Sequence, residues 1–303
     1  MTQQFSNDQL RWLSCISDLK IDRSRGPAPH KPILLLVLCD LIEEGLICDG
    51  LIKKDGALAF RFTGYWAIVA NRRKSRPEVM LPFFHLHSDG IFTPLDENGI
   101  ETDNRLNASL AQISPSLLLN LQLPEFRYEF RQTLITRYFE FGEQIQLFEL
   151  CEMDVPPRKI AESDSTKYLV AEDSERKRDG KFSVRVLPAY DFTCALTNYR
   201  MISSTGSCPL DAAHIRQFKS GGACHPTNGI ALSKNSHWLF DRGFWSLDDN
   251  YRVLVNTDRF DEDGDEALLL KPRSGKRISL PKNEHFWPDK ENLNWHRSNH
   301  KFQ

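Results

Sequence analysis

The chain contains no CxxC pair, no apolar run long enough to cross a bilayer and no excess of positive charge. Seven cysteines, an odd number and scattered, do not form the even, closely spaced framework of a disulfide-stapled domain. A structural zinc site needs four ligands, usually clustered in pairs, whereas Cys194, Cys208 and Cys224 stand alone, so structural zinc is not expected. The longest apolar run, Ile33–Cys39, falls far short of a transmembrane helix and argues against a membrane partner. The opening MTQQFSNDQLRW has no basic stretch followed by an apolar one, so no secretory signal is read and a reducing cytoplasm is the expected compartment. Repeats and low-complexity tracts are missing too, which excludes solenoids and arrays. A formal net charge of −2 provides no global basic field of the kind that marks many nucleic-acid binders. It does not exclude DNA, because cations can be concentrated locally, and Arg72, Arg73, Lys74 and Arg76 form one such concentration.

What is present is an ordinary globular composition, 40% hydrophobic and 26% charged, over 303 residues, enough for two domains each with its own core. The clearest discontinuity is residues 154–180, where 13 of 27 residues are charged with both signs mixed and apolar side chains are sparse. Such a stretch cannot bury enough surface to hold itself in a core and is read as a linker between residues 1–153 and 181–303. In the first part, Leu10, Leu13, Ile16 and Leu19 recur at helical spacing. A second helix, apolar nearly all round and therefore buried, is expected from Pro32 to near Gly45. Leu58–Phe62, Trp66–Val69 and Phe83–Leu86 look β-like, and 117–141 reads as helix interrupted at Pro124. In the second part, Val184–Tyr190 and Gly229–Leu232 read as strands, and Ser233 can N-cap a helix ending at Gly243. Trp245–Leu247 and Tyr251–Val255 suggest a hairpin turning at Asp248-Asp249-Asn250. The expected fold class is α+β.

The stretch LDAAHIRQF…CHPTNGIALSKNSHWLFDRGFWSL carries the chemistry. It holds His214, then Asn228 fourteen residues on, then His237 nine further, then Asp241 one helical turn later. Hydrolysis of a phosphodiester needs a base that titrates near working pH, and imidazole does. It also needs a divalent cation to neutralise the phosphate and stabilise the departing oxygen. His237 and Asp241, at i and i+4, project from one helix face and can share that ion. The amide of Asn228, at a tight connection, can clamp backbone of the opposing strand and so fix the base.

Order, spacing and flanking text (Tyr190-Asp191, Cys194-Ala-Leu-Thr197, Asn228-Gly-Ile-Ala-Leu232, Phe240-Asp241-Arg242-Gly243 and the tail Leu293-Asn294-Trp295-His296-Arg297) resemble the HNH, or ββα-metal, endonucleases, and within them restriction enzymes. The resemblance spans roughly residues 181–300 and implies His214 as general base, Asn228 as positioning residue and His237 as metal ligand, with magnesium or manganese as the ion. Where many such enzymes carry an acidic residue or a histidine immediately before the base, this chain has Ala213. Asp241 is then the preferred carboxylate ligand. Asp211, three residues upstream on a strand, faces the opposite side and would reach the ion only through a bulge or turn. Arg216 and Arg242 flank the motif as candidate phosphate contacts.

In the first part, residues 27–36 (PAPHKPILLL) and Leu81-Pro-Phe-Phe-His-Leu-His-Ser-Asp-Gly90 are similar to the domains that accompany HNH units in modification-dependent restriction enzymes and bind phosphorothioate DNA through its sulfur. That similarity implies Pro82 at the rim of a shallow apolar pocket, with His30 and Lys31 in a helix-start motif. Leu81 stands where an aromatic often precedes that proline. The expected partner is double-stranded DNA, modified or plain, acted on by an endonuclease that works alone or as a homodimer. The alternative is a DNA-binding protein that keeps the HNH fold without cleaving.

Overall fold

The most apolar run of the chain, Ile33–Cys39, is buried at every position, each residue 1% exposed or less. No helix face is left for water, so this segment can only be the centre of a core. It belongs to helix α2 (His30–Glu43), in a computed structural model that describes residues 5–24, 26–70, 77–155 and 182–302. The described residues divide into two compact units, one reaching residue 155 and taking in Ser204–Gly206, the other formed by the rest. The segment expected as a linker, Asp154 and Val155 apart, lies outside the described residues, as do Arg72, Arg73 and Lys74.

In the first unit α2 packs against α3 (Gly56–Val69), α4 (Met80–His85) and α6 (Pro124–Tyr138). Helix α1 (Asn7–Ser17), opened by a capping box between Ser6 and Gln9, lies on α6 and on α5 (Pro115–Leu121). Helix α7 (Phe141–Leu150) closes on α3 and α6. A small antiparallel sheet runs in the order β1 (Leu51–Lys53), β3 (Leu110–Ile113), β2 (Phe92–Leu95). The β-like runs at Leu58–Phe62, Trp66–Val69 and Phe83–Leu86 are therefore corrected. The first two belong to one helix whose start is fixed by Asp55 accepting a hydrogen bond from Leu58 N, and the third falls in α4 and the 3-10 turn after it. A charge cluster at the edge of the core ties these helices together: the buried Arg131 on α6 donates to Asp40 and to the exposed Glu43 of α2, each at 2.7 Å, while the buried Tyr65 of α3 donates to Asp40 at 2.7 Å. Burial raises the Asp40 carboxyl, and the guanidinium and the phenol act against that rise.

The second unit begins with α8 (residues 182–189), a helix where Val184–Tyr190 reads as a strand. Strand β4 (Leu210–His214) pairs antiparallel with β5 (Gly229–Ser233) without a break in register, Leu210 opposite Ser233 and His214 opposite Gly229. Ser233 then caps α9 (Lys234–Asp241), which packs back on both strands. A second ribbon, β6 (Trp245–Leu247) with β7 (Val253–Val255), supports α10 (Lys290–His300). Strand, strand, helix in that order is the ββα arrangement, and helices with antiparallel ribbons make the fold α+β.

Candidate nuclease site

Asn228 is the most completely satisfied of the motif residues. It is 1% exposed. Its Oδ1 accepts from Arg216 N, and its Nδ2 donates to Arg216 O and Ala223 O, all at 2.9 Å. Its own carbonyl accepts from Ile215 N at 2.9 Å. One side chain thus ties both ends of the loop that follows His214. The loop sequence obeys the same constraint. A Cβ at Gly222 would lie 1.9 Å from Arg216 O and 2.8 Å from Asn228 Nδ2, so only glycine allows the clamp to close.

His214 ends β4 with its ring stacked on Phe182 of α8, centroids 3.8 Å apart and planes within 10°. Its Nε2 is 3.6 Å from Cys224 Sγ, the thiol donating to the ring or the ring N–H to sulfur according to tautomer. Neither Phe182 nor Cys224 was singled out from the sequence. Phe182 is distant in the chain, and Cys224 looked isolated because its partner is a histidine across the loop.

His237 on α9 lies between two carboxylates. Its Nδ1 is 3.4 Å from Asp211 Oδ2 and its Nε2 is 3.3 Å from Asp241 Oδ2. Asp211 also takes Lys234 Nζ at 2.9 Å. The expectation that Asp211 needs a bulge to join is corrected: the strand is regular, and α9 comes to it. Period-2 alternation assigns faces of a ribbon but says nothing about a helix crossing its end. The two ring nitrogens point apart, so a single ion can be shared by His237 with one of the acids and not with both. Asp241 is the less committed of the two. Among the described residues, no group of three or more His, Cys, Asp or Glu side chains is arranged to hold a metal. The carboxylate is the hard oxygen donor that magnesium and manganese favour, while the imidazole is a borderline donor that suits manganese and the later first-row ions better than magnesium.

The structure brings Asp211, His237 and Asp241 together, and joins His214, Asn228 and Arg216 at the other end of the ribbon. Three register positions, about 10 Å along the strand, separate Asp211 from His214. Arg216 donates from Nε to Ser220 O at 2.8 Å, with its guanidinium 5.9 Å from the Trp295 ring centroid. Arg242 lies over Trp238 at 4.1 Å.

In the first unit a cavity of about 350 Å³ is lined by Ile21, His30, Lys31, Leu81, Pro82 and His85, among others. Lys31 and Pro82, named from distant stretches of sequence, meet there. Lys31, however, is buried, its ammonium 2.5 Å from Asp89 Oδ2 and bonded to Lys20 O at 2.9 Å. It braces the cavity wall and is not a free cation. His30 stands against Trp66, ring centroids 4.5 Å apart. No described helix is long and apolar enough to cross a membrane.

Residues 194–248, which hold all of this motif from Cys194 to Asp248, match a family model described as HNH endonuclease. No curated protein matches the chain. Among solved structures, a modification-dependent TagI restriction endonuclease is similar at 20% identity and a TM-score of 0.29, over 38% of this chain and 36% of that one. The sulfur-binding domain of SprMcrA, solved with phosphorothioated DNA, is similar at 20% identity and a TM-score of 0.36, over 48% of this chain and 95% of that one. The chain thus matches little more than a third of the length of the restriction endonuclease.

Proposed function

We propose, from the match of residues 194–248 to the HNH endonuclease family model, that this protein is a metal-dependent DNA endonuclease of the restriction type, acting in the cytoplasm, whose first unit selects modified DNA. The clamp of Asn228 on the loop after His214 carries the reading. A histidine at a strand end, with its following loop fixed by a buried amide, is a pre-positioned base. A divalent ion held by His237 with Asp241 would neutralise charge on the phosphate and on the departing oxygen. His214 takes the proton of the attacking water, its ring plane held by Phe182. Asn228 keeps the Arg216 backbone in place, which leaves the guanidinium of Arg216 near the same end for a phosphate. Because one such unit severs one strand at a time, a double-strand break requires two successive nicks or two chains.

The cavity at Pro82 supports modified DNA as the object of the first unit. Its walls are mainly apolar, formed by Ile21, Leu81 and Pro82, with His30 and His85 at hand. Such a site suits a soft, weakly hydrated substituent on a DNA backbone, and a phosphorothioate sulfur is the first candidate. The test is digestion of plasmids that are plain, phosphorothioated, methylated or hydroxymethylated, in magnesium or manganese, by the wild type and by His214→Ala. Cleavage confined to one modified plasmid and lost with His214→Ala is the expected result. Cleavage unaffected by that substitution refutes the assignment of the base, and binding without cleavage under either metal favours a DNA reader that keeps the fold.

A further inference from the structure

Trp238 is half exposed although it stands in the middle of α9, one residue after His237. The Arg242 guanidinium lies 4.1 Å from the Trp238 ring centroid, and Phe244 stacks at 5.7 Å with planes within 12°. Phe244 in turn meets Phe260 edge-on at 5.4 Å and carries Arg259 at 5.8 Å, while Lys271 lies 5.3 Å from the Phe260 ring. Cation and ring alternate across one surface. Arg242 and Arg259 are exposed, and neither forms an ion pair with a carboxylate among the described residues. Lys271 has only a distant partner, Asp261 at 3.9 Å.

A surface of this kind has a specific complement. Half of the Trp238 ring stays open to solvent with a guanidinium against it, so ring and cation are presented together. An exposed apolar ring beside guanidinium groups that no carboxylate neutralises matches deoxyribose flanked by phosphates. Trp238 and Arg242 each stand one residue on from His237 and Asp241, about 100° round the helix, so this surface borders the face that carries those two. We infer that Trp238, with Arg242 and Arg259 beside it, is the seat for the sugar–phosphate backbone next to the phosphate that is cut. Trp238 is a positioning residue there, whereas Arg242 and Arg259 supply charge. The inference rests on the nuclease reading for its place in a reaction, but not for the binding of DNA.

Two measurements on the full chain test it. In the first, anisotropy of a short fluorescein-labelled duplex is followed in chelator, where no cleavage occurs, across a salt series. Trp238→Ala should bind about tenfold more weakly, about 1.4 kcal/mol, with an unchanged salt slope, and Trp238→Phe should recover most of the affinity. Arg242→Ala should flatten the slope by about 0.9, the loss of one phosphate contact. In the second, cleavage by Trp238→Ala should show a raised KM with kcat changed far less. Binding by Trp238→Ala equal to wild type, or an Arg242→Ala slope equal to wild type, overturns the inference while leaving the nuclease reading intact. Weakened binding in a protein that cuts nothing leaves the backbone seat standing and removes the reaction.

Discussion

Replacing Asn228 tests whether the loop after His214 is held as the geometry requires. Asn228→Ala deletes three hydrogen bonds of 2.9 Å. At about 1 kcal/mol each, with Ala223 open to water and Arg216 half-buried, the loss should be about 2–3 kcal/mol. Asn228→Asp is nearly the same shape and discriminates better. It still accepts from Arg216 N, but it points an oxygen at the carbonyls of Arg216 and Ala223, where the amide donated. At neutral pH it should be at least as damaging as alanine. Burial and the two carbonyls raise the introduced carboxyl above its unfolded value of about 3.9. Stability is then retained below that value, where the protonated acid donates one of the missing bonds, and is lost as pH rises. Urea unfolding over a pH series, with hydrogen exchange on peptides spanning residues 210–233, reads both effects. An Asp variant as stable as wild type at pH 7, or one whose deficit deepens on acidification, would show that the clamp does not hold the loop.

Other residues give independent checks. Burial and the neighbouring His300 lower His296 to about 3, and the neutral ring is fully used, Nδ1 against Ser246 Oγ at 2.9 Å and Nε2 against Phe240 O at 3.2 Å. The unfolded chain binds that proton from about pH 6.5 downward and the folded one does not, so this residue should cost about 3 kcal/mol of stability between pH 7 and pH 4. The pH dependence of unfolding should flatten by that amount in His296→Gln, and equal slopes would refute the assignment. In the first unit, Arg131→Ala takes the nearest cation from the partly buried Asp40 and should destabilise by about 2–3 kcal/mol in a urea melt. Pro82→Asp places a charge in the apolar cavity and should abolish discrimination between modified and plain duplex while leaving the melting of the second unit unchanged.

The His–Asn–His motif was legible because its pattern is local: a capped helix after a short strand, with His237 and Asp241 at i and i+4, is written in consecutive residues. The buried helix α2 was legible for a similar reason, since seven apolar residues in a row admit no exposed face. The same property hid α3. Leu58–Phe62 and Trp66–Val69 are helical, but a segment apolar on several sides has no period to read, and only Asp55 as a cap distinguishes it from a strand. Residues 182–189 failed in the same way, because Val184 and Val186 favour a strand until Phe182, Val186 and Leu187 are buried together. Contacts that depend on tertiary approach, Phe182 on His214 and Asp211 on His237, had no local signal. Lys31 was found as part of a motif, yet its role as the partner of Asp89 could be known only once residues 58 positions apart were neighbours.

Cys194 has a consequence for how the protein can be handled. Its thiol is buried at the corner where β5 turns into α9, accepting from Ser233 N at 3.3 Å with Ser236 Oγ 3.8 Å away. Burial pushes this thiol up, but hydrogen bonds from Thr197, Ser233 and Ser236 outweigh burial and leave it below its ordinary value. The corner that presents His237 is therefore fastened by sulfur and protein donors. On the proposed function, stripping divalent ions should stop cleavage while these contacts stay in place, and a chelated sample that keeps its far-UV spectrum and binds DNA would capture target sequences whole.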